Sequence, residues 1–145
     1  MSLSRQVQLA DDLGFLLSRA GGLVAGQVNR ALAPVDLKVR PYSVLVLACE
    51  KAEGVNQRSV AATLGLDPSQ IVALIDDLER RGLVERVADA ADRRNKLIVA
   101  TDAGRELLEQ AHRLVDDVHE RLFGGLPEGV VNSLKEALRA VVLNE

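Results

Sequence analysis

Three cations fall within four positions, at Arg93, Arg94 and Lys96, inside the stretch ADAADRRNKLIVATDAG at residues 88–104. Turn-like alanine–aspartate pairs precede them, and a strand-like Leu97-Ile98-Val99 follows. At the tip of a hairpin such cations could neutralise DNA phosphates. An arginine entering a narrow minor groove would also meet an enhanced negative potential. Asp89 and Asp92 are expected to orient the arginines rather than to bind metal.

Other reactive residue types group less tightly. His112, Asp116 and His119 follow at i, i+4 and i+7, and all are possible metal ligands. On a helix rising 1.5 Å per residue the two imidazoles stand about 10.5 Å apart along the axis, too far for one ion to take both readily. No metal site and no cofactor are expected, and the three read as solvated or interfacial polar residues. Phe15, Arg19 and Tyr42 are candidates for lining a small-molecule pocket, with Arg19 meeting an anionic group. The plainer reading is a core aromatic pair and a surface arginine. Cys49 is the only cysteine, so no intrachain disulfide can form. Set in VLVLACE with no adjoining cation, it reads as a small buried residue and not as an exposed, low-pKa redox thiol. No phosphate-binding GxxxxGK, no HExxH and no nucleophile–base pair occurs, so no enzymatic activity is expected.

Length and composition frame these residues. The chain has 145 residues, 48% of them hydrophobic, and carries a net charge of −3. One domain with its own core is expected, and the charge counts against a generic polycation while leaving room for a local basic element. With only Phe15, Phe123 and Tyr42 aromatic, that core must be Leu, Val, Ile and Ala. The N-terminus MSLSRQVQLADD lacks a signal-like apolar region, and no apolar run reaches the ~20 residues of a membrane span. A cytoplasmic protein is expected.

The elements that would position the cations follow from periodicity and punctuation. Residues 5–33 read as a long helix with Leu9, Leu13, Leu16, Ala20, Leu23 and Gln27 in register. The small residues Ala20, Gly21, Gly22, Ala25 and Gly26 would admit a second helix closely or mark a kink. Prolines 41, 68 and 127 each open a helical pattern. The second helix is placed at 41–53, before Gly54, and the third at 57–64, capped by Asn56 and stopped by Gly65. The fourth begins after Asp67, with Gln70 completing a capping-box pattern, and ends near Arg81 with Ile71, Leu74, Ile75 and Leu78 inward. Then the period changes. Residues 83–87 and 97–99 read as two short strands. Thr101 caps a fifth helix at 102–123, with Leu107, Ala111, Leu114, Val118 and Leu122 on one face. A sixth at 127–143 carries Val131, Leu134, Leu138, Val141 and Val142. The third and fourth helices, joined by Gly65-Leu66, form a helix-turn-helix, and the hairpin behind them is a wing with the cations at its tip.

Residues 56–108, above all LDPSQIVALIDDLERRGLVER and the wing pattern DAADRRNKLIVATDAG, resemble the core of the MarR family of bacterial transcriptional regulators. The Asp-x-Arg element of that family's wing is matched by Asp92-Arg93-Arg94, and the layout of the flanking helices agrees, so the resemblance covers nearly the whole chain. It implies a mainly α (α+β) fold, a winged helix-turn-helix with long N- and C-terminal dimerisation helices and a two-stranded wing. Residues 1–145 would form one unit, with a DNA-binding lobe at about 36–100 and a helical dimerisation region at about 5–33 and 101–145. It further implies a homodimer on a pseudo-palindromic double-stranded operator, a repressor released by a small, aromatic or phenolic effector, and no membrane association. The alternative is a winged helix used for protein–protein assembly without specific DNA binding.

The fourth helix would be the recognition helix, its N-terminal end reaching base edges. Ser69 could bond a base or a phosphate, Gln70 could pair with adenine and Ala73 could touch a thymine methyl. The DNA-binding set is completed by Asp77, Arg58, Arg86, Arg93, Arg94 and Lys96. The sequence departs from the family where Val72-Ala73 replaces a common Thr-Arg pair and where Asp77 replaces a cation or amide. Asp77 would need cytosine, Arg80 or Arg81 as a partner.

Overall fold

The computed structural model describes residues 7–143. Its longest helices are α1 (Leu13–Leu32) and α5 (Asp102–Phe123). Between them come α2 (Val39–Glu50), β1 (Val55–Asn56), α3 (Gln57–Leu64), α4 (Pro68–Arg80), β2 (Val84–Ala88) and β3 (Lys96–Ala100). α6 (Glu128–Val142) closes the described chain.

The first helix starts later than its periodicity suggests. Positions 5 and 6 lie outside the described residues, and Leu9–Asp11 form a separate 3-10 turn. The reason is Asp12, whose Oδ2 accepts from the Phe15 amide at 2.8 Å. An aspartate there satisfies one of the donors left open at a helix start. α1 runs unbroken through Gly21, Gly22 and Gly26. α2 begins two residues before the expected Pro41, because Asn29 Oδ1 of α1 accepts from the Val39 amide at 2.9 Å and caps it from outside. It also ends earlier, at Glu50, where Lys51 turns extended.

Helices α3 and α4 agree with their sequence signals. Asn56 Oδ1 accepts from the Arg58 amide at 2.8 Å. Gly65 takes the left-handed conformation (φ 63°) that closes the turn, a conformation glycine adopts without steric penalty. The hairpin is longer than two short strands, and a third strand joins it. The sheet order is β1-β3-β2, all antiparallel, with Val55 opposite Ile98 and Arg86 also opposite Ile98 from the other side.

One core holds these pieces. Leu32, Leu45, Ile71, Ile75, Leu78 and Ile98 are fully buried and bring α1, α2, α4 and β3 together. Thr101 joins the hairpin to α5: its Oγ1 donates to the Gly82 carbonyl at 2.6 Å and accepts from the Gly104 amide at 3.0 Å. Gly104 is buried, and a Cβ there would collide with the Leu83 carbonyl. Glycine is what lets α5 start against the root of the wing. Along α5 the buried line is Gly104, Ala111, Val115 and Val118. Leu107, Leu114 and Leu122 stand half-buried beside it.

The apolar seams of the terminal helices have no cover within one chain. In α1 only Val28 and Leu32 are buried, while Leu13, Leu16, Leu17 and Leu23 are exposed. α6 buries none of its residues, and Leu134, Val141 and Val142 face outward. No helix among the described residues is long and apolar enough to cross a membrane.

Candidate nucleic-acid interface and ligand pocket

The wing tip is built by backbone hydrogen bonds and two aspartates. Asp89 donates to the Asn95 carbonyl at 3.1 Å, and Asn95 donates to the Asp92 carbonyl at 3.0 Å. Asp89 Oδ1 accepts from the Ala91 amide at 3.0 Å, and Asp92 Oδ1 from the Arg94 amide at 3.1 Å. The expectation that these carboxylates orient the arginine side chains is corrected: they shape the loop backbone. Among the described residues no ion pair engages Arg93, Arg94 or Lys96, and all three are exposed. A tip whose acids are occupied by amides leaves its cations available for phosphate.

Arg86 has a different fate. From β2 its Nη2 reaches Asp76 Oδ1 at 2.6 Å and the Val72 carbonyl at 3.4 Å, and its Nη1 reaches Glu79 Oε1 at 2.9 Å. Glu79 Oε2 also accepts from the Arg86 amide at 3.0 Å. The Arg86 side chain is only 20% exposed. The sequence reading placed Arg86 among the DNA contacts. Its geometry makes it a clasp between wing and recognition helix, because carboxylates one turn apart on α4 converge on a single planar cation.

The exposed residues of α4 include Ser69, Gln70, Val72, Ala73, Asp76 and Asp77, as the spacing of Ile71, Ile75 and Leu78 requires. Asp77 pairs with Arg80 at 3.4 Å. Gln70 Oε1 accepts from the Asp67 amide at 3.3 Å, so the amide expected to read adenine also caps the helix. Arg58 is exposed at the start of α3. Arg81, at the end of α4, donates to the Asp36 and Val35 carbonyls at 2.8 and 3.3 Å, tying the recognition helix to the α1–α2 corner.

A cavity of about 470 Å³ opens between α2 and α5, lined by Tyr42, Val46, Cys49, Arg105, Leu108 and His112 among others. Tyr42 lines it, whereas Phe15 and Arg19 do not, being carried on the outward part of α1. The sequence reading missed Arg105, which follows Gly104 on the first turn of α5 and enters the cavity wall. Tyr42 Oη lies 3.2 Å from His112 Nδ1, and His112 Nε2 lies 3.3 Å from Asp116 Oδ2. Burial, with the Asp116 charge adding to it, raises the Tyr42 pKa. Burial raises the Cys49 thiol, with Arg105 acting in the opposite sense. His119 instead rests on Phe123, ring centroids 6.2 Å apart. Among the described residues no group of three or more His, Cys, Asp and Glu could hold a metal ion.

A helix-turn-helix backed by a wing with free cations at its tip defines a winged-helix DNA-binding protein. The chain belongs to the MarR family of transcriptional regulators. The MarR family model matches residues 36–95. The structure of CouR from Rhodococcus jostii RHA1 bound to p-coumaroyl-CoA is similar at 60% identity, covering 94% of this chain and 96% of that one with a TM-score of 0.90. CouR bound to a 23-mer DNA duplex is similar at 35% identity over 97% of this chain and 99% of that one, with a TM-score of 0.82. The multiple antibiotic resistance protein MarR of Escherichia coli is 29% identical over 117 residues, 79% of this chain and 80% of that protein.

Proposed function

We propose that this chain is a homodimeric cytoplasmic repressor that leaves a pseudo-palindromic operator when an aromatic acyl-CoA thioester binds it. The observation that carries the DNA-binding part is the exposed, unpaired cation cluster at the wing tip beside a helix-turn-helix. Residues 36–100 would hold the DNA, through Arg58, Ser69, Gln70, Ala73, Arg93, Arg94 and Lys96. α1, α5 and α6 would form the dimer; the apolar faces of α1 and α6 are uncovered in one chain, and α5 packs beside α1. On the recognition helix Asp76 and Asp77 are paired with Arg86 and Arg80, which favours the DNA-binding reading over a protein–protein module.

The ligand class rests on the likeness to CouR, solved with p-coumaroyl-CoA, and on the cavity. Its volume of about 470 Å³ falls within the range of small-molecule sites. Val46 and Leu108 supply apolar wall for an aromatic ring, and Tyr42, His112 and Arg105 supply polar ends. The test is a DNA-binding titration on duplexes from beside the chain's own gene, with p-coumaroyl-CoA, free p-coumarate and coenzyme A added separately. Release by the thioester alone supports the proposal. Binding that none of the three disturbs would discard this ligand class while leaving the DNA-binding reading intact.

A further inference from the structure

The recognition helix carries few polar groups that are free to read bases. Asp76 is held by Arg86 at 2.6 Å and Asp77 by Arg80 at 3.4 Å. Gln70 Oε1 is engaged by the Asp67 amide at 3.3 Å. What α4 offers without rearrangement is the Ser69 hydroxyl, the Gln70 amide nitrogen and two apolar side chains, Val72 and Ala73. Val72 is 39% exposed, on the face that turns away from Ile71, Ile75 and Leu78. Neither side chain is needed by the core.

In the major groove only one group on the standard bases is apolar, the C5 methyl of thymine. An exposed valine beside an alanine, on a helix whose acids are neutralised, has one matching partner there. We propose that Val72 and Ala73 read the operator through thymine methyl groups, so that each half-site carries adjacent thymines under α4. This rests on the reading of the chain as a DNA-binding regulator. Arg86 serves the contact indirectly. By neutralising Asp76 and Glu79 and gripping the Val72 carbonyl, it keeps carboxylates from repelling the phosphates as the apolar pair approaches the groove.

The test uses the intact protein and duplexes that it selects from a random-sequence pool. Each thymine of a selected duplex is replaced in turn by deoxyuridine, which removes the methyl and keeps the Watson–Crick pairing. Two neighbouring positions per half-site should each bind about fourfold more weakly, the equivalent of ~0.8 kcal/mol for one buried methyl. In Val72→Ala the penalty at one of them should vanish while the other persists; Ala73→Ser should do the reverse. Both variants change exposed positions, and their melting temperatures report whether the fold is kept. If no duplex is enriched, the DNA-binding reading falls and this inference with it. If duplexes are enriched but deoxyuridine costs nothing under α4, or costs the same in wild type and both variants, methyl reading by Val72 and Ala73 is overturned and DNA binding stands.

Discussion

Arg86 and Gly104 act at the scale of single residues, and neither role involves touching a ligand. Arg86 gathers Asp76, Glu79 and the Val72 carbonyl onto one guanidinium. Arg86→Ala should leave two carboxylates unpaired on the recognition helix. It should cost about 1 kcal/mol of stability, below the usual ~1.5–3 kcal/mol of charged hydrogen bonds, because the carboxylates are half exposed. DNA binding should weaken more than stability does, since the freed acids face phosphate. Arg86→Lys should not restore it, because a single ammonium cannot bridge the planar set. Thermal melts and DNA titrations on the same preparations check both; wild-type affinity in Arg86→Ala would show the clasp to be idle. Gly104→Ala works by steric collision alone. Its Cβ would run into the Leu83 carbonyl, and overpacking of that kind costs about 1–3 kcal/mol, to be read as a lowered melting temperature. Cys49 is the quiet case. Its thiol is pushed up by burial, so Cys49→Ala should leave any peroxide response unchanged in a DNA-release assay.

At the scale of elements, wing and recognition helix should fail differently. Arg94→Ala removes a free cation and should weaken binding to all sequences. The slope of log K against log salt should fall by about 0.9 for each phosphate that is no longer neutralised. Gln70→Ala removes two things at once, a helix cap and a candidate base contact, because the Gln70 amide does both. It should lower the melting temperature and relax discrimination at one base pair by ~1–3 kcal/mol, with little change in salt slope. Titration on specific and scrambled duplexes at several salt concentrations separates the two; an unchanged slope in Arg94→Ala would make the wing cations solvated decoration. These elements differed in how readily the sequence disclosed them. α3, α4 and α5 were legible because Asn56, Gly65, Asp67 and Thr101 are local signals, acting within three residues of the helix ends they set. β1 was not, because two residues carry no period. The Arg86 clasp and the Arg81 tie were hidden for another reason: their partners lie on other elements, and an arginine spelled in a row of charges looks the same whether it faces phosphate or a carboxylate. The cavity was half legible. Tyr42 was visible as a rare aromatic, whereas Arg105 enters only because Gly104 brings α5 against the hairpin.

At the scale of the whole molecule, one chain is incomplete. Leu13, Leu16, Leu17 and Leu23 on α1, with Leu134, Val141 and Val142 on α6, lie open on a fold whose other apolar residues are mostly covered. A Cβ at Gly21 or Gly22 would meet nothing within 4 Å, so the small-residue stretch of α1 faces free space that a partner helix could occupy. A second copy supplies an apolar surface of the same kind, and a two-fold axis would present two recognition helices to one face of the DNA. Their half-sites should then lie ~34–36 Å apart, one helical turn. Leu134→Glu tests this without entering the core, because Leu134 is 41% exposed in the single chain. In a dimer the new carboxylate would be buried without a partner, which is strongly unfavourable. The variant should show the mass of one chain in solution at micromolar concentration, where the wild type shows two. It should also lose the preference for two half-sites over one while its wing and recognition helix remain folded. A wild-type mass of one chain, or a Leu134→Glu variant that still pairs and still demands both half-sites, would mean that α6 lies outside the dimer and that its apolar face has some other cover.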